Sequence, residues 1–412
     1  MLLFTWGACE LVSFTALSAL NRSVFSYASV KKELAAGAAV AGGEGVSGRT
    51  EVRWGDFVEV LHPYFGFVAD PARTPPAWDV SDYGFIFDGK ASPITRRAPG
   101  RLVVAVFGGS FANGAYLLLK REFEAHAAQL HKEVILLNFS AGGYKQPQHL
   151  MVLNYLLALG AEFDLVINID GFNEVALPLA ENIPAHVNPF YPRGWEGRTA
   201  DTISQASVRA IGRIEYLKER RADLARTCLQ RHLYLSPTLC LIWTLRDKAM
   251  AGEAYRAEQA IRAASAQSDA SKSYTMRGPA YTMVSEADTL RDLAGVWRNA
   301  SAQMATLSKA SGARYFHFLQ PNQYVPNSKP LNPAERKQAF AENHPFRHAV
   351  VVGYPYLQKS GQDLQKSGVH FTDLTGIFAH TDETVYNDDC CHLNEQGYRI
   401  VAAEIYRIVQ GE

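Results

Sequence analysis

The sequence predicts a doubly wound α/β fold carrying a helical insertion, and two features support that expectation. Short, unbroken apolar runs recur at RLVVAVF (101–107), EVILLNF (133–139) and DLVINID (164–170). Their length and apolar texture suit parallel strands buried on both faces. Between them lie stretches of helical pattern at about 113–130 and 147–160, and strand alternating with helix at this spacing builds βαβ units.

Further strands are expected at ARYFHFL (313–319) and HFTDLT (370–375). The last helix has its own start signal. Asn394 can cap it, Leu393 and Tyr398 occupy the two positions of a hydrophobic staple, and Tyr398, Val401, Ile405 and Ile408 form an apolar stripe at spacings of three and four. Between the third and fourth strands lies an insertion, about 180–310, rich in Ala, Arg, Gln and Leu. Stretches such as VRAIGRIEYLKERRADLARTCL read as long amphipathic helices. The sequence leaves open whether they pack beside the sheet or cap a substrate cleft.

Upstream, the chain divides by composition. Residues 1–35 form an N-terminal apolar segment, 36–50 an Ala/Gly-rich flexible linker, 51–100 an extension of short strands and irregular chain, and 101–412 the main domain. Residues 1–20 are mostly apolar, but Glu10 sits in their middle. A bilayer span needs about 20 apolar residues, and a central carboxylate costs roughly 2.5–3.5 kcal/mol on insertion scales. Three readings stay open: a membrane anchor, an amphipathic surface helix, or a signal peptide without a basic start. Arg22, Lys31 and Lys32 follow the segment, so the positive-inside tendency conflicts with an extracytoplasmic domain. Localisation, and any membrane association through this segment, stay undecided.

Among 412 residues, 47% are hydrophobic, enough for a full-sized core and against global disorder. Lys plus Arg equals Asp plus Glu at 41 each, which argues against nucleic acid as the main partner, since phosphate binding needs excess positive charge. The five cysteines, Cys9, Cys228, Cys240, Cys390 and Cys391, show neither CxxC pairs nor zinc spacing, so a structural metal is unsupported.

Unusual polar residues stand at the strand ends, where open α/β sheets bind ligands. The first strand runs into Gly108-Gly109-Ser110, which places a serine hydroxyl at a helix start beside unpaired N–H groups. The second ends in Asn138-Phe139-Ser140-Ala141-Gly142-Gly143-Tyr144, where the glycine pair allows close backbone approach to a ligand. The third ends in Asp170-Gly171-Phe172-Asn173-Glu174, and the Asn side chain can donate to an oxyanion. Before the last helix stands Asp389-Cys390-Cys391-His392. A histidine can serve as base to a serine, and a carboxylate can orient its ring. Asp388 is a second candidate for that carboxylate. Cys391 invites a thiol nucleophile, but sequence neighbours rarely have the geometry. His62, His149 and His317 read as packing or surface residues, and Gln320-Pro321-Asn322-Gln323 as a structural loop.

These four segments, in this order, resemble the SGNH (GDSL-like) hydrolase family across about 101–175 and 313–410. Gly108-Gly109-Ser110 is similar to its Gly-Asp-Ser block, Gly143 to its oxyanion glycine, Gly171-Phe172-Asn173-Glu174 to its Gly-x-Asn-Asp block, and Asp389-Cys390-Cys391-His392 to its Asp-x-x-His block. Gly109 and Glu174 depart from the pattern, each standing where the family usually has Asp. The resemblance implies a flavodoxin-like parallel sheet with helices on both faces. It also implies Ser110, His392 and Asp389 as a catalytic set, an oxyanion hole from Ser110, Gly143 and Asn173, and no metal or organic cofactor. The expected activity is ester hydrolysis through an acyl-enzyme on Ser110, with a small-molecule or carbohydrate ester as partner. An SGNH-type O-acetyltransferase acting on a polysaccharide is one alternative, and a non-catalytic binding module on the same fold is another.

Overall fold

The computed structural model describes residues 2–20, 24–39, 52–54, 57–75, 78–87, 92–199, 205–267, 274–282 and 284–411. The chain divides into two compact units, one of residues 1–50 with 199–273 and one of 51–198 with 274–412.

The second unit carries two sheets. Strands β1 (Val52–Trp54), β2 (Phe57–His62) and β3 (Gly66–Ala69) form an antiparallel sheet. Strands β4 (Arg101–Gly108), β5 (Glu133–Asn138), β6 (Leu165–Asp170), β7 (Arg314–Leu319) and β8 (His370–Asp373) form a parallel one in the order β5-β4-β6-β7-β8. That is the flavodoxin-like order, so the predicted fold class is the observed one. All five strand segments read from the apolar runs are present. The helices between them, Ser110–Ala125 and Gln148–Ala158, start and stop within a few residues of expectation.

The strand runs are apolar throughout because both faces are covered, and alternate residues serve opposite sides. Val104, Val106, Ile167 and Ile169 pack with Phe111 and Leu119 of the helix Ser110–Ala125 and with Val401 and Ile405 of the last helix, Glu395–Gly411. Val103, Ala105, Phe107 and Val166 pack on the other side with Val152, Leu153 and Leu156 of Gln148–Ala158 and with Met304. Met304 belongs to the helix Glu286–Ala310, capped by Ser285, whose hydroxyl accepts the Asp288 N–H. The predicted start of the last helix also holds: Asn394 Oδ1 accepts the Gly397 N–H at 2.9 Å, and Leu393 and Tyr398 are buried together.

The extension at 51–100 is pinned to the ends of the parallel strands. The Tyr144 hydroxyl donates to the Phe67 carbonyl, and Gln148 Nε2 donates to the Phe65 carbonyl at 2.8 Å. Arg198 Nη2 meets Glu59 Oε2 at 2.6 Å with both side chains almost fully buried, and its guanidinium lies 3.7 Å over the Phe67 ring.

The other unit is helical: Leu2–Leu20, Tyr27–Ala39, Gln205–Gln230 and Pro237–Gln267 surround Leu17, Phe25, Val30, Leu34, Ala225 and Cys240. Glu10 is not a misplaced carboxylate. It receives the Ser236 hydroxyl at 2.5 Å and the Thr238 N–H at 3.1 Å, so it covers the unpaired N-terminus of the helix Pro237–Gln267. Among the described residues, no helix is long and apolar enough to cross a membrane. The Ala/Gly-rich stretch begins inside the helix Tyr27–Ala39, and residues 40–50 of the expected linker lie outside the described residues.

Candidate active site

In this sheet order the chain turns outward in opposite directions from β4, toward β5 on one side and β6 on the other. A crevice therefore opens beyond the carboxyl ends of these strands. Ser110 is the first residue of the helix that follows β4, so its N–H belongs to the set that a helix leaves without an internal partner. The two glycines before it are dictated by contact. A Cβ on Gly108 would sit 2.2 Å from the Ile169 carbonyl oxygen, and one on Gly109 would sit 2.3 Å from Asn173 Nδ2. An aspartate at 109, which the resemblance leads one to expect, would require Asn173 to move off the Tyr144 carbonyl.

Ser110 Oγ lies 2.8 Å from His392 Nε2, and His392 Nδ1 lies 2.6 Å from Asp388 Oδ2. The carboxylate in this row is Asp388, which corrects the expectation of Asp389. The reason is local. Asp388 Oδ1 accepts the N–H groups of Cys390, Cys391 and His392 at 3.0, 3.0 and 3.1 Å, closing a turn that aims Oδ2 at the ring. Asp389 is not the partner of the imidazole, whose Nδ1 is held by Asp388. The Asp389 side chain is 51% exposed, with Oδ1 3.8 Å from His344 Nε2.

An ionised carboxylate can only accept, so His392 carries its proton on Nδ1 and offers the Nε2 lone pair to the Ser110 hydroxyl. The hydrogen bond and charge of Asp388 raise the His392 pKa above its ordinary 6.5, against the opposing effect of burial. Burial would raise the Asp388 pKa, but its bonds to the His392 ring and to the turn N–H groups more than offset this and hold it below the usual carboxylate range. Cys391 is buried beside Cys390, and contact with that thiol, with burial, pushes its own pKa well up. It is a poor nucleophile, and the imidazole points at Ser110 instead.

The turn is held from behind by the loop after β7. Gln323 Nε2 donates to the Asp388 carbonyl, Asn322 Nδ2 to the Cys390 carbonyl, and the Tyr324 hydroxyl to the Asp389 carbonyl. The structural role expected for Gln320-Pro321-Asn322-Gln323 is thus to fix the histidine loop.

Ser110, His392, Gly142 and Gly143 line one cavity of about 340 Å³. Gly143 has φ +79°, and a Cβ there would meet Arg193 Cδ at 2.8 Å, so the position requires glycine. Asn173, almost fully buried after β6, donates through Nδ2 to the Tyr144 carbonyl at 2.7 Å and lies against Gly109. Asn113 and Ser140 also line the cavity and were not singled out in the sequence. Asn113 follows Ser110 by three residues on one helix, which puts the two side chains on one face, and that spacing was the available signal. Asn138 Nδ2 donates to Asn113 Oδ1 at 2.8 Å, and the Ser140 hydroxyl donates to Asn138 Oδ1 at 2.5 Å.

Behind the crevice lies a second polar cluster, fully buried. Asp170 accepts Trp297 Nε1 at 2.6 Å, His317 Nε2 at 2.8 Å, Asn168 Nδ2 at 2.6 Å and His149 Nδ1 at 3.2 Å. Burial raises its pKa, but the His317 charge and these bonds outweigh burial and hold it low. Glu174 accepts the N–H groups of Gly171 and Gln146 at 2.8 and 3.0 Å, and burial, with the neighbouring Asp170, drives its carboxyl well up. His149, Asp170 and Glu174 are close enough to share a cation. Their carboxylate oxygens are already engaged by N–H donors, which suits a structural network. His317 is buried in the same network, its Nδ1 paired with the Ser301 hydroxyl at 2.7 Å, and His62 stacks on Phe65.

Neither a protein-family model nor a curated protein matches this chain. Solved structures it is similar to include a GDSL-like lipase of Bacteroides thetaiotaomicron, at 11% identity over 75% of this chain and 89% of that one, with a TM-score of 0.34. Another is an acetyl xylan esterase at 11% identity, covering 75% of this chain and all of that one, with a TM-score of 0.34. A third is an alpha/beta hydrolase enzyme from the metagenome of Lake Arreo, Spain, at 10% identity over 75% and 95%, with a TM-score of 0.37.

Proposed function

We propose that this protein is a serine hydrolase of the SGNH type that cleaves carboxylic esters through an acyl-enzyme on Ser110. The observation that carries the reading is the continuous hydrogen-bonded row Ser110–His392–Asp388 on the wall of a cavity. A serine hydroxyl is a weak nucleophile until a base takes its proton. His392 Nε2 takes it as Oγ attacks the ester carbonyl, and Asp388 stabilises the imidazolium that forms. The carbonyl oxygen, now negative, is received by the backbone N–H groups of Ser110 and Gly143 and by Asn173 Nδ2. Each such donor contributes about 2.7–4 kcal/mol of barrier lowering in comparable sites. The imidazolium returns its proton to the leaving alcohol. Water, activated by the same base, then releases the acid.

The test is Ser110→Ala against a chromogenic acetyl ester. Loss of turnover with an unchanged circular dichroism spectrum and melting temperature is expected. Wild-type turnover in that variant would refute the reading.

A further inference from the structure

The cavity beside Ser110 has two kinds of wall, divided by their origin in the chain. Residues at the ends of β4 and β5 are polar or bare backbone apart from the single methyl of Ala141: Ser110, Asn113, Ser140, Gly142 and Gly143. Residues of the N-terminal extension are almost all apolar: Phe67, Val68, Ala69, Trp78, Phe85 and Ile86. This extension lies outside the segments that resemble the SGNH core.

Two charged side chains reach the cavity, and both are paired. Glu59 is bound to Arg198 at 2.6 Å, and Arg193 to Glu181 through two contacts of 2.9 and 2.7 Å. Neither leaves an uncompensated charge to attract an ionic substrate. Phe67 and Phe85 are buried in the unit's own core and back this wall, and the side chains that open onto the cavity are Ile86, half-buried, and Trp78, exposed. A wall made mostly of hydrocarbon and aromatic rings gains free energy by covering hydrocarbon.

Resting on the ester-hydrolase reading, we infer that the wall formed by Val68, Ala69, Trp78 and Ile86, backed by Phe67 and Phe85, is a binding site for an aliphatic chain of the ester. The preferred substrates therefore carry several methylenes rather than a bare acetyl on a sugar. The chain can enter from the acyl or the alcohol side of the bond, and the two sources separate in one experiment.

One series varies the acyl group from acetyl to decanoyl on p-nitrophenol. A second varies the alcohol from ethyl to octyl on acetate. Each methylene buried on the wall should raise kcat/KM about three- to fourfold until the cavity is filled. A rise in the first series assigns the chain to the acyl side, and a rise in the second to the alcohol side. Ile86, half-buried and paired by a backbone bridge with Val80, is the position to fill. Ile86→Trp should lower the octanoyl-to-acetyl ratio of kcat/KM by about tenfold or more, the worth of two methylenes. The inference is overturned if both series fall from their shortest member, or if Ile86→Trp leaves the ratio unchanged. In either case Ser110-dependent hydrolysis of the acetyl ester leaves the hydrolase reading standing. An enzyme that hydrolyses no member of either series, and whose Ser110 takes up no fluorophosphonate, overturns both.

Discussion

Replacing Asp388 by Asn separates the two candidate carboxylates, because their positions in the turn predict opposite outcomes. In the wild type, Oδ1 holds three backbone N–H groups and Oδ2 holds the His392 ring. An Asn at 388 keeps the backbone contacts only by placing its carbonyl oxygen on them, which turns its NH₂ toward His392 Nδ1. Two N–H donors cannot face each other, so the ring proton moves to Nε2 and the lone pair that should accept the Ser110 proton is lost. In the serine-protease template the equivalent change costs about 10⁴ in kcat. The Asp388 side chain is 38% exposed, so solvent screens part of the effect, and a loss of about 10³–10⁴ is expected here. At 1.36 kcal/mol per decade this is about 4–5.5 kcal/mol of barrier. Asp389→Asn alters a half-exposed side chain off the ring and should change the rate by about twofold or less. The assay is kcat for a chromogenic ester, with burst kinetics to isolate acylation. If Asp389→Asn abolishes the burst and Asp388→Asn preserves it, the assignment of the carboxylate is wrong.

Other consequences follow from the same contacts. Because Asp388 raises the His392 pKa above 6.5, the acid limb of kcat/KM should have its midpoint above pH 6.5 and move down in Asp388→Asn. A raised folded-state value also means that His392's contribution to stability is complete below pH 6.5 and fades as pH climbs through the folded value. Thermal melts across that window should show the decline. Gly109→Ala drives a methyl into Asn173 Nδ2 and should cost about 1–3 kcal/mol in urea unfolding, together with a loss of kcat. Arg198→Ala removes a buried, charged partner of Glu59 and should destabilise by about 3–5 kcal/mol. A midpoint within error of wild type would show that the pair does not hold the extension.

The five parallel strands were legible because burial on both faces leaves an unbroken apolar run, a signal contained in each segment alone. The placement of Ser110, Gly143 and His392 around one cavity was legible because each stands at a strand end or just before a helix, where backbone geometry is set locally. The choice of Asp388 over Asp389 was not, since it depends on which neighbour's oxygen closes a turn on the N–H groups of 390–392, and a spacing of three or four residues permits either. The apolar cavity wall was hidden for a different reason. Phe67, Phe85 and Ile86 belong to the extension read only as short strands and irregular chain, and nothing in that stretch shows that it lines a cavity with Ser110. Glu10 looked like a defect in an apolar segment because its partner, the start of the helix Pro237–Gln267, lies more than two hundred residues away. Such long-range pairings leave no trace in local periodicity.

The most direct test of the central claim is covalent capture. After treatment with a fluorophosphonate, peptide mass spectrometry should place one adduct on Ser110, and His392→Ala, which removes the base, should lose it. An unlabelled Ser110 in the folded wild-type protein, or equal labelling without His392, would contradict the account.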